Sequence, residues 1–348
     1  MKLSVLLVGN FLSSSTGVRS VCEDLAMQLA GKGWPIFTSS AKPGRIARVS
    51  DMVSTVWRER RRYDIAHVEV YSGPAFIWAE LVCESLKLVG KPFVLTLHSG
   101  SLPVFAERWP GRMRRLLNSA VVVTTPSTFL GERMKQFRAD LQLLPNPIEL
   151  GAYRFKHRKK VAPKLIWLRA FHKIYNPSLA PRVIARLREE FPDIHLTMVG
   201  RDKGDGSLQE TLQVAKMLGV ADQISFSGAI PKSEVPVWLG RHDIFLNTTN
   251  VDNMPVSILE AMASGLCVVS TNVGGIPRLL EQEHEALLVS ADDIDAMTSS
   301  VRRLLTDDEL AATLSYNARQ KAGQFDWAVI LPQWERILAG AAVMHKDG

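Results

Sequence analysis

The sequence predicts an α/β protein of two successive domains, each built on a mostly parallel sheet. Three observations carry this. Apolar runs of strand length alternate with stretches of helical period through most of the 348 residues. The alternation breaks once, at the proline-rich and then basic stretch LLPNPIELGAYRFKHRKKVAPK, residues 143–164, and restarts beyond it. The length also suffices for two cores of ordinary size. The expected division is residues 1–155, residues 156–325, and a C-terminal helix at 326–348 that packs back toward the first domain.

Composition narrows the class. Hydrophobic residues make up 46% and mean hydropathy is +0.03, values of a soluble globular chain. LSVLLVG near the start is followed at once by Asn10 and the serines Ser13 to Ser15, so it reads as a strand and not a signal peptide. No uncharged apolar stretch has the length of a spanning helix. The scattered Cys22, Cys83 and Cys267 have neither metal-ligand nor disulfide spacing, which fits reduced thiols and a cytoplasmic setting. A net charge of +7 favours anionic partners such as nucleotide phosphates or an acidic membrane. Basic runs at 58–62 and 108–115 lie beside Trp57 and Trp109 and raise peripheral association with an anionic membrane. No nucleic-acid-binding module is present.

In order, residues 3–9 form a buried strand, 11–18 a serine-rich turn around Gly17, and Val21 to Ala30 a helix. A glycine before a helix start lets a ligand approach the backbone, but the three spaced glycines of dinucleotide enzymes are missing. That argues against a nicotinamide dehydrogenase. Strands follow at 65–70, 92–98, 120–124 and 141–144, with a helix around 76–88. His98 lies at the carboxyl end of PFVLTL, where ligands collect in such sheets, and His67 and Glu69 sit near the end of the preceding strand. A lone histidine is as readily structural as functional.

Beyond the break, strands are expected at 164–168, 195–199, 224–226 and 244–247. Arg169 directly follows the first of these, with Lys173 four residues on. The densest stretch is VDNMPVSILEAMASGLCVVSTNVGGIPRLL, residues 251–280. Asp252 or Asn253 is the expected helix cap, with Pro255 in the first turn. Glu260 is the only charge from Val256 to Gly265 and falls at the edge of an apolar face, so it needs a partner. A buried strand follows, and Gly274-Gly275 then opens a helix whose N–H groups suit an anion. Arg169, Lys173 and that turn together suit a diphosphate leaving group without a metal, and Glu260 suits a ribose diol.

Two acids separated by seven residues, Asp252 and Glu260, then Ala261-Met262-Ala263, Gly265 and Gly274-Gly275, form a specific signature. On it the chain resembles the retaining GT-B glycosyltransferases with a glycogen-synthase-like or sucrose-synthase-like C-terminal domain, the glycosyl transferases group 1. The resemblance spans nearly the whole chain and is strongest from Leu165 to Val289. It implies two Rossmann-like domains facing a central cleft, and retaining transfer of a sugar from a nucleotide-sugar donor to an acceptor hydroxyl. It implies that Glu260 binds the ribose, while Asp252 and the N–H groups of Asn253 and Met254 meet the sugar. Arg169 and Lys173 then hold the diphosphate, and the backbone of Gly228 and Ile230 meets the base. Gly17 lies by the donor phosphates and His98 by the transferred sugar.

No metal or bound cofactor is expected; a UDP- or GDP-sugar serves as co-substrate, and a glycan or lipid-linked molecule as acceptor. The resemblance also marks departures. Asp252 stands in place of glutamate, Met254-Pro255 in place of Phe-Gly, Glu69 in place of a second histidine, and Pro147 in place of a linker glycine. A sugar-nucleotide epimerase and a non-catalytic nucleotide-sugar-binding member stand as alternatives.

Overall fold

A computed structural model describes residues 2–13 and 19–344. Its backbone contacts divide the chain into two units, Met1–Pro147 with Trp327–Gly348, and Ile148–Asp326.

The first unit holds a six-stranded sheet of β1 (Val5–Val8), β2 (Ile36–Ser39), β3 (Ile65–Val70), β4 (Phe93–Leu97), β5 (Val122–Thr125) and β6 (Gln142–Leu143). Their order is β2-β1-β3-β4-β5-β6, and every pairing is parallel. Side chains alternate across a strand, so Leu6 and Val8 enter one apolar layer while Val5 and Leu7 enter the other. The second layer also takes Leu25 and Leu29 from helix Val21–Gly31, and Trp327, Ile330 and Trp334 from helix Trp327–Met344. The first of these helices begins with a reciprocal cap, Ser20 accepting from Glu23 N–H and the Glu23 carboxylate accepting from Ser20 N–H.

The second unit repeats the plan with β7 (Lys164–Leu168), β8 (His195–Val199), β9 (Ile224–Gly228), β10 (Ile244–Asn247), β11 (Cys267–Thr271) and β12 (Ala286–Val289). The order is β12-β11-β10-β7-β8-β9, again all parallel. Both faces are covered, which is why these strands read as continuous apolar runs.

The stretch expected to link the domains is integrated into the second unit. Ile148 N–H donates to Phe325 O at 2.8 Å, and Tyr153 is buried. Arg158, within the basic run, is wholly buried and bonds Asp243 at 3.2 Å together with the carbonyls of His242, Lys156 and Ser264. A cation with that many acceptors has no need of solvent. The division therefore falls at Pro147, ahead of the expected 155. Among the described residues no helix is long and apolar enough to cross a membrane.

Candidate functional site

In an open parallel sheet, the crevice for ligands lies where strand order reverses, beyond the carboxyl ends. In the second unit that point lies between β7 and β10, whose chains run on to opposite sides. Arg169 follows β7 and Asp252 lies in the loop after β10, and the two form an ion pair there. The guanidinium also stacks over the Tyr175 ring, 4.1 Å from its centre. Its buried Nε–H has no acceptor among the described residues. Burial raises the Asp252 carboxyl above its ordinary range, opposed by Arg169 and by the Asn253 N–H at 2.9 Å. Asp252 is thereby spent on Arg169 and not on capping. Helix Val256–Ala263 starts from Pro255 with no side-chain cap, which corrects the expected role of Asp252 or Asn253.

The two loops are stitched together. Trp167 Nε1–H donates to Thr248 Oγ1 at 2.9 Å, whose hydroxyl donates to Tyr175 O at 2.7 Å. Asn250 N–H donates to Ile174 O at 2.8 Å. Lys173 has an exposed side chain, and its N–H donates to Asp205 at 2.8 Å, tying the loop after β7 to the loop after β8. Asp205 takes further donors from Ser207, and its carboxyl falls to about 2.

Glu260 sits deeper than its sequence pattern implied. Every residue from Ser257 to Ala263 is buried, so the helix is covered all round and Glu260 is 4% exposed. Its partners are the Lys232 ammonium and Tyr153 Oη–H, the latter at 2.7 Å. Neither carried a signal in the sequence. They lie 28 and 107 residues away, and neither belongs to the acid signature.

Gly274 and Gly275 lie against the backbone of the Asp252 segment. Gly274 has φ +57°, and a side chain on either glycine would collide with the carbonyl of Asp252 or Asn253. Gly275 N–H donates to Asp252 O at 3.1 Å, and the helix that follows is only Ile276–Leu279. The glycine turn therefore sets the position of the Asp252 segment. Met254 is a core side chain and Asn253 is buried beside it. Gly228 (φ +66°) ends β9 and its carbonyl accepts from Gly200 N–H at 2.8 Å, while Ile230 packs on the core. Gly17 lies outside the described residues.

In the first unit the switch point lies between β1 and β3. Glu69, near the end of β3, places Oε1 3.3 Å from His98 Nε2, just after β4. Its Oε2 accepts from Tyr71 Oη–H at 3.0 Å and from Asn10 N–H at 3.4 Å. The Tyr71 ring stacks on His98. Burial pushes Glu69 up to about 7 and His98 down to about 4. His67 shares the face of β3 that carries Glu69, its Nε2 2.8 Å from Thr96 Oγ1 and its ring edge on Trp334.

Two doubly covered parallel sheets of this order make the fold that of the GT-B transferases. Sucrose-phosphate synthase from Thermosynechococcus elongatus has the same fold, with a TM-score of 0.82 and 17% identity over 98% of this chain and 100% of that one. Residues 151–321 match the family model for glycosyl transferases group 1, and the chain belongs to that family. It is 28% identical over 243 residues to the GDP-mannose-dependent alpha-(1-6)-phosphatidylinositol monomannoside mannosyltransferase of Mycolicibacterium smegmatis. That match covers 64% of this chain and 61% of the relative, under two thirds of its length. It is also 27% identical over 331 residues to the phosphatidyl-myo-inositol mannosyltransferase of the same organism, across 90% of this chain and 81% of that protein.

Proposed function

We propose that this chain transfers a sugar from a nucleotide-sugar donor to an acceptor hydroxyl, with retention at the anomeric carbon and without a metal ion. The observation that carries the reading is the part-buried Arg169 at the switch point of the second sheet, whose buried Nε–H has no acceptor among the described residues. A buried donor without a partner suits an anion, and a diphosphate leaving group develops negative charge as the sugar departs. Lys173 adds a second cation from the same loop. Glu260 accepts from the ribose hydroxyls, Asp252 and the Asn253 and Met254 backbone meet the sugar, and Gly228 and Ile230 meet the base. His98, in the first unit, meets a sugar or acceptor hydroxyl.

A relative named for GDP-mannose supports a GDP-sugar donor, and a UDP-sugar is the other donor to test. Names built on phosphatidylinositol support a lipid-linked acceptor. The test is release of nucleoside diphosphate from UDP- and GDP-sugars, with lipid-linked and glycan acceptors, in chelator. Donor turnover with product of retained configuration is expected. Donor binding without release, or interconversion of the sugar without release, overturns it.

The helices Leu102–Arg108 and Pro110–Ser119 support a place at an anionic membrane surface. Val104 is 71% exposed and Trp109 44%, with the Arg108 guanidinium 5.7 Å from the Trp109 ring centre. Sedimentation with anionic vesicles, lost on Trp109→Ala, is expected; equal sedimentation with neutral and anionic lipid contradicts it.

A further inference from the structure

Glu69 is a buried carboxyl group at a topological switch point, and its two oxygens have different company. Oε2 already accepts from Tyr71 Oη–H and Asn10 N–H. Among the described residues, Oε1 faces only the ring nitrogen Nε2 of His98 at 3.3 Å. The carboxyl group is lodged against bare backbone, because a Cβ on Gly9 would come 2.5 Å from Oε2 and 2.9 Å from Cys22 Sγ. The stacked Tyr71 ring, 5.5 Å away at 22°, limits rotation of the imidazole.

We propose that Glu69 is a positioning residue that sets which nitrogen of His98 carries the ring proton, and so whether Nδ1 meets a ligand hydroxyl as donor or acceptor. With both Oε2 sites taken by donors, a carboxyl proton sits on Oε1 and is donated to Nε2. The ring proton then lies on Nδ1, which acts as a donor. When Glu69 is ionised, Nε2–H donates to Oε1 and Nδ1 becomes an acceptor. One proton leaves the pair between the two states, and the imidazole is neutral in both.

Burial supports this division, since it holds His98 neutral while the Glu69 carboxyl titrates at about 7. The groups facing Glu69 are Cys22 and Glu23 from helix Val21–Gly31, His67 on its own strand, and Tyr71 and His98. Arg48 reaches the Asn10 side chain at 3.1 Å. Glu23 adds to the upward push on Glu69.

The tautomer does not depend on the proposed function; only its effect on sugar transfer rests on that reading. The test is long-range proton–nitrogen spectroscopy of full-length protein labelled at histidine, with His98→Gln to assign the ring. Wild type should carry the ring proton on Nδ1 on the acid side of about 7 and on Nε2 on the alkaline side. In Glu69→Gln the carboxamide oxygen must accept from Tyr71 and Asn10, so its NH2 faces Nε2 and holds the proton on Nδ1 at every pH. The same tautomer on both sides in wild type overturns the proposal, and so does a variant that reverses like wild type. The wild-type titration decides alone if the variant does not fold. Under the proposed function, kcat of wild type bends near that pH and kcat of the variant does not, with donor KM less affected. A wild type that reverses its tautomer but transfers no sugar defeats the function and leaves this inference standing.

Discussion

The carboxylate of Glu260 is closed off from solvent by the ammonium of Lys232, which reaches it from the 3-10 turn Lys232–Glu234. A glutamate on a helix covered on all sides requires such a partner, because an unpaired buried charge is costly. Replacing Lys232 with methionine leaves Glu260, among the described residues, with the Tyr153 hydroxyl donating at 2.7 Å. Unfolding by urea should show a loss of about 1–3 kcal/mol. Saturating nucleoside diphosphate should recover part of it if ribose hydroxyls donate to the same carboxylate. Unchanged stability in the variant contradicts the pairing.

Arg169→Ala and Glu260→Ala should each reduce kcat/KM by at least roughly tenfold, or about 1.4 kcal/mol of transition-state stabilisation. Arg169→Lys should rescue little, because an ammonium cannot both stack flat on Tyr175 and pair with Asp252. Steady-state kinetics on folded variants checks this. Full activity in both alanine variants defeats the site assignment.

Gly275→Ala tests whether the glycine turn holds the Asp252 segment. The new Cβ meets the Asn253 carbonyl, and the bond from the residue 275 N–H to Asp252 O stretches or breaks. A loss of about 1–3 kcal/mol in stability is expected, with weaker donor binding. Denaturant titration and calorimetry read the two separately. Stability that falls while donor affinity holds would confine the glycine to a packing role.

Glu69 makes stability depend on pH with a definite sign. Its folded value of about 7 lies above the ordinary 4.5, so the native state holds the proton more tightly than the unfolded chain. That contribution is complete below 4.5 and is lost as pH rises through 7, by about 3 kcal/mol. Relative to wild type, Glu69→Gln should therefore gain stability across this window. His67 and His98 are depressed and act in the opposite sense, weakening the fold as pH falls below 6.5. Melting curves of both proteins from acid to neutral pH measure the difference. A gap that stays constant contradicts the raised carboxyl.

Much of this was legible in the chain because burial on both sheet faces writes strands as apolar runs. The run Cys267–Thr271 between Gly265 and Gly274 is one case. Glu260 was legible as an acid in need of a partner, since it is alone among apolar neighbours. Its partners were not, because Lys232 and Tyr153 reach it only through tertiary folding. Asp252 had the right chemistry for a cap, but a guanidinium at the switch point outcompeted the helix terminus for its carboxylate. Arg158 stands in the basic stretch where the strand pattern breaks and proved to be a buried pin, because Asp243 and the carbonyls of His242, Lys156 and Ser264 converge on it through tertiary folding.

The path of the chain has an outcome for how the molecule is made. Ile148 and Asp326, the two ends of the second unit, pair with each other in a bridge. That unit can thus be completed as soon as residue 326 has been synthesised, with its ends already clasped. The first unit must wait. Val5, Leu7 and Leu25 have their cover of Trp327, Ile330 and Trp334 only once the helix Trp327–Met344 exists. Until then the part of this apolar layer not covered by helix Val21–Gly31 stands open on the growing polypeptide, and strands made well before the second unit are sealed after it.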